Sequence, residues 1–123
     1  MIEYKVRVYD NRTEWYLNGL LHRLDGPAVE YPAGSKEWCL NGLLHREDGP
    51  AIERTDGYKA WYYNGQQHRI DGPAIEYEDG DKEWYLTGQK YTEEKFLEAT
   101  QSVKELTIAE IETLLGHRVK VVK

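Results

Sequence analysis

One phrase is written three times in this chain. It reads WYLNGLLHRLDGPAVE at 15–30, WCLNGLLHREDGPAIE at 38–53 and WYYNGQQHRIDGPAIE at 61–76. Trp15, Trp38, Trp61 and Trp84 follow one another at a constant spacing of 23, as do His22, His45 and His68. A fixed period in the twenties means a stack of small like units, each unable to bury a core alone. Whatever the chain folds into must place equivalent residues of successive units side by side.

Two turn signals punctuate each unit. Asn18-Gly19, Asn41-Gly42 and Asn64-Gly65 are type I′ hairpin signals, because both central positions need positive φ. That turn sets Leu17 opposite Leu20, Trp15 opposite His22 and Glu14 opposite Arg23. The second signal is Asp10-Asn11, Ala33-Gly34, Asp56-Gly57 and Asp79-Gly80. Taken as two-residue turns, these set Val6 opposite Trp15, Val29 opposite Trp38, Ile52 opposite Trp61 and Ile75 opposite Trp84. One sheet face then carries the Trp row with Leu17, Leu40, Tyr63, Leu86, Val29, Ile52 and Ile75. The other carries Glu14, Tyr16, Glu37, Cys39, Tyr62, Glu83 and Tyr85. This register also sets Glu30 against Glu37 and Glu76 against Glu83, an unfavourable pairing of like charges. A bend in the register or a basic neighbour has to relieve it. Asp-Gly-Pro at Asp25, Asp48 and Asp71 reads as a recurring kink: Pro lacks a donor, Gly supplies unusual φ, and Asp bonds local backbone.

The fold expected is mainly β (α+β): an antiparallel meander of 23-residue hairpins followed by a helical tail. The units fall near 14–36, 37–59 and 60–82, with a partial one at 83–91. Ile2, Tyr4, Val6 and Val8 alternate with polar residues as a strand does. A second region, 92–123, begins where the phrase breaks: Thr87 replaces Asn, and Tyr91 stands where a fourth His belongs. Thr92 with Glu93 and Glu94 reads as a helix start, with Phe96, Leu97 and Val103 on its apolar side. Thr107 and Glu110 form a capping box for a second helix, and Val119 and Val121 read as a short last strand. This tail is expected to cover part of the Trp face or to cap one end of the meander.

Composition narrows the function. At 123 residues and a net charge of −6, the chain's mild acidity argues against a general phosphate-binding surface, so a nucleic-acid partner is not expected. No apolar run approaches a membrane span, and MIEYKVRVYD has no apolar h-region, so no secretory signal is expected. The single Cys39 builds no disulfide and is expected to sit as an ordinary side chain in a reducing, cytoplasmic setting. Ten Tyr and four Trp against one Phe suit strands with large amphipathic side chains.

The candidate functional residues are His22, Arg23 and Asp25 with their counterparts His45, Arg46, Asp48 and His68, Arg69, Asp71. H-R-x-D here is no kinase loop, since no Gly-rich loop or D-F-G accompanies it. Nor is it one zinc site: equivalent residues two strands apart lie ~9–10 Å from each other, too far to share an ion. The structural reading has His packed edge-on to the Trp ladder, Arg paired with Glu14 or Glu37 across the hairpin, and Asp tying the Gly-Pro kink. Tyr16, Tyr62 and Tyr85 are a second candidate, as a platform for a protein segment. Lone Ser, Thr and Cys residues make no nucleophile–base set, so no catalytic residue, cofactor or metal is expected.

The W-x-x-N-G phrase resembles a variant of the MORN repeat, over roughly 14–88. The fuller W-x-x-N-G-x-x-H-R-x-D-G-P-A wording, with the LTIAEIETLLGHRVKVVK tail, is similar to proteins of large viruses and bacteriophages. The resemblance implies a non-enzymatic binding or scaffold protein with a protein partner, host or viral. In its specific form it implies an inhibitor of a host defence protein, acting in the host cytoplasm. Two other readings stay open. One is a small-ligand or nucleotide sponge or nucleotide-processing enzyme using the His-Arg-x-Asp rows, with Arg on phosphate. The other is a structural protein that self-associates through open sheet edges.

Overall fold

The computed structural model describes residues 3–105. Strands come in chain order as β1 Tyr4–Val8, β2 Thr13–Leu17, β3 Leu20–Leu21, β4 Val29–Glu30, β5 Lys36–Glu37, β6 Cys39–Leu40 and β7 Leu43–Leu44. They continue as β8 Ile52–Glu53, β9 Lys59–Ala60, β10 Tyr62–Tyr63, β11 Gln66–Gln67, β12 Ile75–Glu76, β13 Lys82–Leu86 and β14 Gln89–Tyr91, before the helix α1 Glu93–Glu105. The protein is therefore mainly antiparallel β with one helix in the described residues. The expected second helix and last strand lie outside them.

The main sheet runs β1-β2-β4-β5-β8-β9-β12-β13-β14 with β3 beside β2, while β6–β7 and β10–β11 form separate two-stranded arms. The Asn-Gly turns are as expected. Asn18, Asn41 and Asn64 have φ of 52°, 51° and 49°, and Leu17 faces Leu20. The arms are stitched to one another by backbone bonds. Arg23 N–H donates to Cys39 O and Gly42 N–H to Leu21 O, and the same two bonds recur 23 and 46 residues on.

The second turn differs from expectation. Only the first is a two-residue loop, setting Val6 opposite Trp15. In the others Tyr31 N–H donates to Ser35 O and Gly34 N–H to Tyr31 O, so the loop is 32–34 with Gly34 at φ 114°. The same bonds close 55–57 and 78–80. This is the three-residue hairpin, a turn followed by a left-handed glycine. One added residue shifts the register by one and exchanges the faces. Val29 lies opposite Glu37, Ile52 opposite Ala60, and Ile75 opposite Glu83. Val29, Ile52 and Ile75 therefore leave the Trp face and join the Tyr face.

The new register removes the clash of acids. Glu30 faces Lys36, Glu53 faces Lys36 and Lys59, and Glu76 faces Lys59 and Lys82. Opposite charges alternate across the sheet, the favourable cross-strand arrangement.

The core is on the Tyr side. Ile52, Ala60 and Ile75 are buried together, and Leu44, Tyr58, Tyr62 and Tyr85 pack against them. The Asn-Gly arms thus close over the main sheet, and each buried Ile contributes ~1.5–3 kcal/mol. At the far end α1 packs on β13 and β14. Thr92 Oγ1 accepts the Lys95 N–H, as an N-cap does, and Glu93 and Glu94 occupy the first turn. Phe96, 23 residues after Pro73, is buried at 2 % exposure. The helix occupies the place of a fourth Gly-Pro-Ala segment and covers the last hairpin.

Thr87 takes the turn position that Asn holds elsewhere, at φ 50°. A β-branched residue in the left-handed region is strained by ~1–3 kcal/mol, whereas Asn is tolerated there. Thr87→Asn is expected to stabilise the protein by ~1 kcal/mol, read as a higher urea midpoint at unchanged slope. An unchanged or lower midpoint would count against that strain.

Candidate functional site

The His-Arg pairs leave the Asn-Gly arm just before the Asp-Gly-Pro segment, and the two side chains do different work. Each imidazole reaches into the following unit. His22 Nδ1 accepts the backbone N–H of Asn41, His45 Nδ1 that of Asn64, and His68 Nδ1 that of Thr87, at 2.9, 2.9 and 2.8 Å. These N–H groups open the next type I′ turn. A nitrogen that accepts an N–H carries no proton, so each ring is the Nε2–H tautomer. The rings do not lie edge-on to Trp as expected. His45 meets the Tyr63 ring at 4.5 Å, and Tyr4 approaches His22 at 6.1 Å. His22 and His45 are buried, and His68 is half-buried.

Each arginine stays within its own unit. Arg46 lies over the Trp38 ring, with Cζ 3.7 Å from the centroid. Its Nε donates to Asp48 at 3.0 Å, and one Nη donates to both the Pro50 carbonyl and Glu53. Arg23 makes the same set with Trp15, Asp25, Pro27 and Glu30, and Arg69 with Trp61, Asp71, Pro73 and Glu76. The cross-hairpin pairing with Glu14 or Glu37 is corrected. Glu14 instead accepts from Arg12 at 2.7 Å and from the Tyr16 hydroxyl at 2.7 Å. Those two hydrogen bonds, Arg12 first, hold its carboxyl below the usual range, and the bond to Glu14, with burial, pushes the Tyr16 hydroxyl up.

The glycine of Asp-Gly-Pro is explained by the same arginine. Gly26, Gly49 and Gly72 are not among the positive-φ glycines, so unusual φ is not their reason. A Cβ at Gly49 would stand 2.9 Å from Arg46 Cζ, and the distances at Gly26 and Gly72 are 3.0 and 2.9 Å. The guanidinium is sandwiched between an indole and a bare backbone. Asp bonds the arginine, not the local backbone as expected. Ala28, Ala51 and Ala74 are fully buried, and their carbonyls accept the Trp15, Trp38 and Trp61 N–H at 2.7 Å. Asp25, Asp48 and Asp71 are largely exposed, so their ion pairs add only ~0–1 kcal/mol each. The indole contact and the more shielded Glu add more.

The tyrosine candidates are divided. Tyr62 and Tyr85 pack on the core, and Tyr16 is held by Glu14. Burial, with Glu37 nearby, pushes the Cys39 thiol up to about 11, which keeps it protonated at neutral pH and a poor nucleophile. Among the described residues no group of three or more His, Cys, Asp or Glu is placed to hold a metal.

Between successive His-Arg-x-Asp segments lie two equivalent grooves. One, of about 670 Å³, runs between Arg23–Gly26 and the Trp38, Leu40 and His45 side chains. The other, of about 610 Å³, runs between Arg46–Gly49 and Trp61, Tyr63 and His68. Leu24 and Ile70, at 76 % and 64 % exposure, stand on their rims. The sequence carried the hint: x in H-R-x-D is apolar twice, with no strand partner to bury it. A third cleft, of about 680 Å³, adjoins Trp84, Tyr77 and Tyr91 at the helix end.

Two stability measurements test this reading. His45→Ala removes a buried imidazole and leaves the part-buried Asn64 N–H without its partner, and is expected to cost ~1–3 kcal/mol. His68→Ala, at a more exposed contact, is expected to cost less, and equal losses would contradict the assigned role. Gly49→Ala is expected to destabilise by ~1–2 kcal/mol by displacing Arg46, but to be neutral or mildly stabilising in an Arg46→Ala background. Additive losses in that double-mutant cycle would show that the glycine serves something else.

Comparison of the chain with protein-family models, with characterised proteins and with solved structures returned no match.

Proposed function

We propose that the chain is a non-enzymatic repeat protein that binds another macromolecule, a protein, along the side where the Trp, His and Arg rows lie. The pair of equivalent grooves carries this reading. They recur at the 23-residue period, are lined by Trp38 and Trp61, and have exposed apolar residues at their rims. Aromatic anchors beside exposed apolar side chains and arginines are the composition of protein contact surfaces. The 23-residue unit as a MORN-like repeat belongs to this proposal, as does its specific form, a viral or phage inhibitor of a host defence protein. Both rest on the resemblance of the W-x-x-N-G-x-x-H-R-x-D-G-P-A phrase.

The polar groups of the phrase argue against chemistry or phosphate capture at the same place. Each arginine already serves two carboxylates and a carbonyl. A phosphate approaching it would meet Asp and Glu at the same guanidinium, and like charges repel. No described helix is long and apolar enough to cross a membrane.

Leu24→Ser with Ile70→Ser removes the rims without touching the arginine contacts. The doubly substituted protein is expected to keep its melting temperature and to lose at least about tenfold in affinity for the protein captured by the wild type. Capture of the same protein with equal affinity by both forms would sink the groove reading.

A further inference from the structure

The two ends of the sheet are unlike. The helix end is covered by α1, but β1 is the outermost strand of the other end, and among the described residues no strand lies on its far side. The hydrogen-bond phase of β1 follows from the turn. Tyr9 N–H donates to Arg12 O, so Arg7 and Lys5 bond inward to β2. The N–H and C=O groups of Tyr4, Val6 and Val8 therefore point outward. Their side chains share one face and are exposed at 37 %, 44 % and 78 %. The strand has no proline, and its register with β2 contains no bulge. Such an edge is a template for another strand.

We propose that β1 pairs antiparallel with β1 of a second copy, about a two-fold axis at Lys5, and closes the open end of the sheet. The charge pattern distinguishes the two registers with the greatest overlap of residues 3–8. Alternation of side chains requires even-numbered residues of one copy to face even-numbered residues of the other. The register centred on Val6 sets Lys5 against Arg7 of the second copy, twice, which is repulsive. The register centred on Lys5 sets Glu3 against Arg7 of the second copy, twice, and Tyr4 against Val6 of the second copy, twice. It leaves one pair of like charges, Lys5 against itself. The strand is thus self-complementary in the way an isologous interface requires, and Tyr4 and Val6 of both copies form one apolar row. Lys5 at the axis weakens the contact, so the dimer is reversible.

Sedimentation velocity on the full chain should show a monomer–dimer equilibrium with a dissociation constant on the order of 10–100 µM. Glu3→Arg and Arg7→Glu should each weaken dimerisation by about tenfold or more, while their equimolar mixture restores it, because every Arg then meets a Glu. Arg7 also faces Glu14 within its own sheet, so a second pair of variants avoids that contact. Glu3→Arg alone should weaken the dimer about tenfold, and Lys5→Thr should tighten it several-fold. A strict monomer up to ~1 mM would overturn the proposal, as would a dimer indifferent to both Glu3→Arg and Lys5→Thr.

Discussion

The guanidinium held between an indole and a glycine is the contact on which the rest of the fold depends. In each full unit it joins the Trp of the first strand to the Asp, Pro and Glu of the return segment. Two pieces of chain already joined by backbone hydrogen bonds are thereby clamped through their side chains as well. The clamp is local, so every unit brings its own. It is also demanding: any side chain in place of Gly49 meets the arginine. The neighbouring histidine makes the contact that is not local, by capping the first N–H of the next turn. Arginine closes a unit, and histidine fastens it to its successor.

This division of labour explains why a phrase rich in His, Arg and Asp need carry no chemistry. Catalytic or ligand-binding side chains present free hydrogen-bonding capacity to a space that a substrate can enter. Here the Nδ1 of each imidazole is filled by a backbone donor, and each guanidinium already binds two carboxylates and a carbonyl. The groove rims at Leu24 and Ile70 remain exposed. The two ends of the array are equally distinct. At one, Tyr91 and Thr92 replace His and Arg, and a helix covers the last hairpin. At the other, the strand edge has no neighbour among the described residues.

Much of the local structure was legible from residue chemistry alone. Asn-Gly at a fixed interval specifies type I′ turns because few other pairs accept two positive φ angles, and all three turns form. Thr92 followed by two acids specifies the helix start. The second turn was not legible, because Ala33-Gly34 and Asp56-Gly57 serve a two-residue or a three-residue loop equally well. The choice moves the register by one and exchanges the faces. The like-charge opposition of Glu30 with Glu37 was the visible sign that the shorter loop was wrong. The alternation of Glu with Lys under the longer loop resolves it.

By itself, then, the sequence determined the period, the Asn-Gly hairpins and the place where the array stops, because those depend on backbone preferences of one or two residues. Only the tertiary structure decided which face becomes the core, which carboxylates the arginines choose, and what the histidines hold. Those outcomes depend on contacts between separate segments, such as Arg23 with Glu30, 7 residues on, and His22 with Asn41, 19 residues on. Their geometry exists only once the register, the bend of the arms and the space beside glycine are set together.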